Sequence, residues 1–200
     1  LEADAPDKGL IIVGIGASAG GLEAFQAFLT AMPAESGMAF VLVQHLAPDH
    51  VSMLVELLSK YTQMKVYQAE NGMKIEANQV YIIPPDATLT IEKGHLVVTS
   101  PAPPREHRRP IDTFFFSLAQ DQGEKAVCII LSGTGSDGSL GLTAIKEQGG
   151  LTFAQAEFDH QAKPGMPKSA DATGAVDHIL QVEDMPAMLM EYRNHLRKVE

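Results

Sequence analysis

The chain has 200 residues, 15 of them Lys or Arg and 25 Asp or Glu, for a formal net charge of −10. That length fits one domain of ordinary size, and so acidic a chain is repelled by phosphate backbones and anionic lipid, which argues against nucleic-acid binding. Its single cysteine, Cys128, excludes an internal disulfide and any multi-cysteine metal site. Within the apolar run 126–131, Cys128 reads as a small buried hydrophobe rather than a nucleophile. Apolar residues make up 45% and charged residues 20%, enough for a core and too few charges for disorder. No apolar stretch approaches the roughly 18 residues that span a bilayer. The first nine residues, with three acids and one lysine, are no signal peptide. Composition therefore predicts no membrane insertion and a reduced, cytoplasmic setting. Residue 1 is not methionine, which fits a module of a longer chain.

Leu1–Gly9 is polar and reads as a tail or linker. Leu10–Val13 is predicted as a buried strand ending in glycines. Gly21–Met32 follows as a helix, with Leu22, Phe25, Phe28 and Leu29 at helical spacing. Ala39–Val43 is a second strand and His50–Tyr61 a second amphipathic helix. Val80–Ile83 is a short strand, and Leu89–Ile91 with Leu96–Val98 forms a hairpin across Lys93-Gly94. A loop with prolines at 101, 103, 104 and 110 leads into a helix over Ile111–Gln120, whose run Phe114-Phe115-Phe116 is expected in the core. Ala126–Leu131 is a third long buried strand. A helix over Gly138–Gln148 is capped by Gly149-Gly150. Strands at Leu151–Ala154 and Ile179–Val182 precede a closing helix, Met185–Arg197, with cations in its last turn. Continuous apolar strands alternating with helices predict a single α/β domain: a three-layer, doubly wound, mostly parallel sheet with a short antiparallel hairpin. The predicted boundaries are a tail at 1–9, the domain at 10–195 and a linker at 196–200.

Ligands of open α/β sheets bind beyond the carboxyl ends of the strands. There stand Ser18 in Gly14-Ile15-Gly16-Ala17-Ser18-Ala19-Gly20, His45 after Gln44, and Asp137 in Ser132-Gly133-Thr134-Gly135-Ser136-Asp137-Gly138. A serine becomes a nucleophile when an imidazole takes its proton and a carboxylate orients that imidazole. Gly16-Ala17-Ser18-Ala19-Gly20 also fits G-x-S-x-G, the sharp strand-to-helix turn that exposes a nucleophilic oxygen. Each piece has a plainer reading: a phosphate cradle, a structural histidine, a helix-capping aspartate. The glycine spacing is not G-x-G-x-x-G, no Gly-Lys-Ser/Thr is present, and the second strand ends in Gln44-His45 rather than an acid, which weighs against a nucleotide-binding domain. No clustered metal ligands occur, since His45 and His50 lie five apart across a proline.

These segments, with Tyr81-Ile82-Ile83-Pro84-Pro85, Arg109-Pro110-Ile111-Asp112 and Gly165-Met166-Pro167, resemble the catalytic domain of CheB-type protein-glutamate methylesterases of bacterial chemotaxis over Leu10 to His195. The resemblance implies hydrolysis of glutamyl methyl esters on methyl-accepting chemotaxis receptors, releasing methanol. Many relatives also deamidate receptor glutamines. It implies Ser18 as nucleophile, His45 as base, Asp137 as orienting carboxylate, backbone N–H groups of Ala19 and Thr134 around the oxyanion, and neither cofactor nor metal. Thr134 departs from the methionine common in that family, though its N–H survives the change. Arg105, Arg108 and Arg109 are candidates for docking an acidic receptor helix, against the alternative of a solvated loop with Arg109 paired locally. Met166 is a candidate for lining the cleft or for packing. Relatives carry a receiver domain ahead of the esterase or are fused to a receptor methyltransferase, and either could be linked covalently to this module. The competing reading is a weakly active or inactive signalling module of the same fold.

Overall fold

The computed structural model describes residues 9–18, 21–45, 52–157 and 165–199. In chain order its elements are β1 (Ile12–Ser18), α1 (Leu22–Ala31), β2 (Ala39–His45), α2 (Ser52–Ser59), β3 (Lys65–Gln68), β4 (Gln79–Ile82), β5 (Thr88–Glu92), β6 (His95–Thr99), α3 (Pro110–Gln122), β7 (Ala126–Ile130), α4 (Ser139–Glu147), β8 (Leu151–Gln155), α5 (Met166–Asp171), β9 (His178–Leu180) and α6 (Met185–Val199). Seven strands pair in parallel in the order β3-β4-β2-β1-β7-β8-β9, and β5 and β6 form a separate antiparallel pair. Alternate strand residues feed two cores. Val13, Ile15, Val127 and Ile129 meet α1, α2 and α6 on one face, while Ile12, Cys128 and Ile130 meet α3, α4 and α5 on the other. The three-layer, doubly wound reading holds.

Several local readings shift. Gly14 and Gly16 were expected to end the first strand, yet β1 continues through both to Ser18. A Cβ on Gly14 would lie 3.0 Å from Phe115, and one on Gly16 would lie 2.6 Å from Ile111. These glycines are therefore clearance for α3 against the sheet rather than turn residues. Phe114 and Phe115 are buried, but Phe116 is exposed, because a third consecutive residue rotates off the buried face of a helix. β3 carries no long apolar run: it is a four-residue edge strand, half exposed, and the periodicity does not mark it. α6 continues to Val199 with Leu196 against the core, past the boundary set at His195. The hairpin matches its Lys93-Gly94 turn, both residues having positive φ. It is tied to α3 by Ser117, which accepts from Ile91 N–H, and by Asp121, which accepts from Lys93 and Gly94 N–H.

β1 is the centre of the winding, with β2 on one side and β7 on the other. The crevice above the carboxyl ends of β1 and β7 is the topological switch point.

Candidate functional site

Ser18 and His45 are the last residues of neighbouring parallel strands and are register partners. Strand spacing alone sets their backbones roughly 5 Å apart. Ser18 N–H donates to Ser132 O at 3.4 Å, so the start of the loop after β7 stays against the end of β1. Gly133 makes that approach possible, since a Cβ there would lie 2.7 Å from Ser18 Cβ.

The third candidate arrives from 92 residues away in sequence: His45 Nδ1 lies 3.0 Å from Asp137 Oδ2. The imidazole is 22% exposed and the carboxylate 2%. A carboxylate at Nδ1 favours the tautomer protonated there, leaving Nε2 as the basic ring atom. Asp137 also accepts from Ile111 N–H on Oδ2 at 3.0 Å and from Asp112 N–H on Oδ1 at 2.9 Å. Those amides belong to the first turn of α3, which opens with Pro110 and has no cap from its own N-cap side chain. Asp137 fills that gap from another segment. Its two carboxylate oxygens thereby satisfy amides that an α-helix leaves without an intrahelical partner.

Beyond Ser132 the loop is braced twice. Gln155 Oε1 accepts from Ser132 N–H at 2.7 Å, and Met166 N–H donates to Gly133 O at 2.8 Å. Thr134 faces Gly165 in an antiparallel bridge. Because the bond joins the flanking residues 133 and 166, Thr134 occupies a non-hydrogen-bonded position, whose N–H points away from the partner segment. Among the described residues none accepts it. Ala19, the other amide expected here, lies outside the described residues, as does His50.

The basic candidates separate. Arg108 is committed to the loop before α3, donating to Pro103 O at 2.7 Å and to Asp86 Oδ1 at 2.8 Å. Arg109 is 55% exposed, with Nη1 3.5 Å from Asp112 Oδ2. Arg105 is exposed on a 3-10 turn, Arg105–His107. Arg109 borders a pocket enclosing about 470 Å³, part of it open to solvent, with Gln44 (next to His45), Pro84, Asp86, Arg108 and Thr113 also in its wall. Met166 is fully buried, and a Cβ on Gly133 would lie 2.7 Å from its Cε. It packs beneath the loop and has no surface to offer a substrate. Cys128 is buried, and burial pushes its thiol well above the ordinary range, as expected of a structural residue.

Two contributors went unassigned in the sequence. Gln155 carries no pattern that announces it. Asp112 was visible only as the acid in Arg109-Pro110-Ile111-Asp112, but an acid in the first turn of a helix is a common signal that another segment could use. Its side chain is 3% exposed, and burial raises its pKa, with the neighbouring Asp137 charge raising it further. Hydrogen bonds from Gly141 and Gly138 N–H and the nearby Arg109 pull in the opposite direction. No group of three or more His, Cys, Asp or Glu suited to a metal ion occurs among the described residues.

Such a site defines a class: a doubly wound α/β protein with a serine, a histidine and a buried aspartate gathered at its switch point. The CheB methylesterase family model matches residues 13–189, and the chain belongs to that family. It is 36% identical over 182 residues to "Protein-glutamate methylesterase/protein-glutamine glutaminase 1" of Geobacter metallireducens, covering 89% of this chain and 50% of that protein. An uncharacterized 104.1 kDa protein of Rhodobacter capsulatus is 40% identical over 143 residues, 70% of this chain and 14% of that one. The crystal structure of the Thermotoga maritima CheB methylesterase catalytic domain superposes with a TM-score of 0.78 at 29% identity, covering 90% of this chain and 97% of that one. The chain thus spans about half the length of the Geobacter relative. No helix among the described residues is long and apolar enough to cross a membrane.

Proposed function

We propose that this chain is a serine esterase that hydrolyses glutamyl methyl esters on chemotaxis receptors to glutamate and methanol, and deamidates receptor glutamines by the same acyl chemistry. The observation that carries the reading is the juxtaposition of Ser18 and His45 at paired strand ends, with His45 Nδ1 bonded to a buried Asp137. Ser18 Oγ attacks the ester carbonyl as His45 Nε2 takes its proton. Asp137, held by two backbone N–H groups, stabilises the imidazolium without itself becoming protonated. The oxyanion is received by the Thr134 N–H and, by family likeness, the Ala19 N–H. The proton on His45 then passes to the departing methoxide, or to the amide nitrogen of a glutamine, which departs as ammonia, and water attacks the acyl-enzyme by the same route reversed.

The partner is a methyl-accepting receptor whose acidic helix docks along the pocket wall beside His45, guided by Arg109 and Arg105, in the cytoplasm. Arg108, itself in that wall, fixes the loop through Asp86 and Pro103 O. The lengths of the relatives support a place for this module within a longer protein, next to a receiver or a methyltransferase domain. The decisive experiment follows methanol release from methylated receptor: wild type turns over, and Ser18→Ala loses roughly 10⁴-fold or more in kcat with its melting transition intact. Equal release by Ser18→Ala overturns the assignment.

A further inference from the structure

The first turns of α3 and α4 clasp each other. Asp137, just before α4, accepts from Ile111 and Asp112 N–H at the start of α3. In return Asp112 Oδ1 accepts from Gly138 N–H at 2.9 Å and Gly141 N–H at 2.8 Å at the start of α4. Each aspartate thus caps the other's helix, and the Asp112 backbone and side chain both belong to the ring. The exchange needs the helix ends close together. Gly141 permits this, since a Cβ there would lie 2.5 Å from Phe115 Cβ and 3.1 Å from Asp112 O. Gly138 adopts φ +97 with Ile111 and Ile130 packed under it, a conformation costly for other residues.

We propose that Asp112 is a positioning residue for the hydrolytic reaction: by bonding Gly138 and Gly141 N–H it fixes the carboxylate of Asp137, and through it the ring of His45. Gly138 is the residue bonded directly to Asp137, so an acceptor on its N–H restrains the peptide from which the Asp137 side chain springs. Among the described residues only Oδ1 accepts hydrogen bonds; Asp112 Oδ2 is buried without a donor among them, with Arg109 Nη1 at 3.5 Å. The acceptor geometry at Oδ1 carries the positioning role, and the charge is secondary to it.

The inference rests on the triad reading for its kinetic arm, so a second readout is independent of turnover. The 200-residue chain is prepared as wild type, Asp112→Ala, Asp112→Asn, Asp112→Glu and Asp137→Asn. Proton NMR follows the His45 Nδ1 proton, held at low field by Asp137, and steady-state kinetics follow methanol release. Asp112→Ala should move or broaden the Nδ1 resonance and lower kcat 10- to 100-fold per folded molecule, with KM unchanged. Asp112→Asn, which keeps the acceptor at Oδ1, should restore the resonance and recover at least tenfold of the lost kcat. Asp112→Glu keeps the charge but displaces the acceptor by one methylene, so it should resemble Ala; it answers the question should Asp112→Ala fail to fold. A wild-type resonance and kcat in Asp112→Glu, or an Asp112→Asn no better than Ala, overturns the proposal. Absence of turnover in wild type with the resonance pattern as expected instead removes the esterase reading and leaves the clasp standing.

Discussion

Gly16→Ala is a small change whose consequences run from the sheet to the triad. Glycine in a strand weakens it, and where space allows, Gly→Ala stabilises a protein by about 0.4–1 kcal/mol through the unfolded chain. Here the new methyl would lie 2.6 Å from Ile111 Cγ2, 2.9 Å from Cδ1 and 3.1 Å from Cγ1. Ile111 is fully buried among Phe114, Phe115 and Ile130, so its branched side chain has no free space to swing into. Overpacking of this kind costs about 1–3 kcal/mol and outweighs the chain-entropy gain. With that gain subtracted the net loss is up to about 2.6 kcal/mol, and since for a chain of this length each kcal/mol moves Tm by roughly 2–4 °C, Tm should fall by up to roughly 10 °C. The same push displaces Ile111, whose N–H holds Asp137 Oδ2. Misplacement of a catalytic group by 1 Å can cost about 10²-fold, and a fraction of that shift should slow labelling of Ser18 by a fluorophosphonate roughly tenfold. Thermal melting and labelling rates are measured on Gly16→Ala, Ile111→Ala and the double variant. Relief of the clash predicts a double variant at least about 1 kcal/mol more stable than the sum of the single losses. A Gly16→Ala protein as stable as wild type and labelled at the wild-type rate would refute the reasoning.

Cys128 should resist alkylation by iodoacetamide in the native protein and react on unfolding, because burial raises its pKa and removes access; mass spectrometry reads both states. The two neighbouring arginines should separate in kinetics and stability. Arg109→Ala should raise KM for receptor roughly two- to fivefold and weaken its salt dependence, with Tm little changed, as for one exposed charge. Arg108→Ala should lower Tm by breaking the bonds to Asp86 and Pro103 O. A melting curve and a salt series on each variant decide the pair, and identical behaviour contradicts the division of labour.

The alternation of apolar runs with helical periodicity was enough for the layer architecture, because strands buried on both faces leave an unmistakable apolar signature in residues such as Ala126–Ile130. Ser18, His45 and Asp137 were legible as strand-end residues, and His45–Asp137 pairing follows once β2 and the loop after β7 flank the same switch point. Asp112 was not, since its task exists only when two helix ends face one another, a relation between segments that no local pattern records. Gly14 and Gly16 carry the same lesson in reverse. Their local pattern announces a turn, while the space they leave serves the side chains of Ile111, Phe114 and Phe115, almost a hundred residues on. Arg108 and Arg109 are indistinguishable by type and adjacent in sequence, and both line the pocket, yet Arg108 is held by Asp86 while Arg109 stays largely exposed.

The hydrolytic reading depends on Ser18 being activated by His45. The most direct measurement treats the folded chain with a fluorophosphonate and locates the adduct by peptide mass spectrometry. A single adduct on Ser18, abolished in Ser18→Ala and slowed at least 100-fold in His45→Ala, is the predicted result. An adduct elsewhere, or wild-type labelling in His45→Ala, contradicts it.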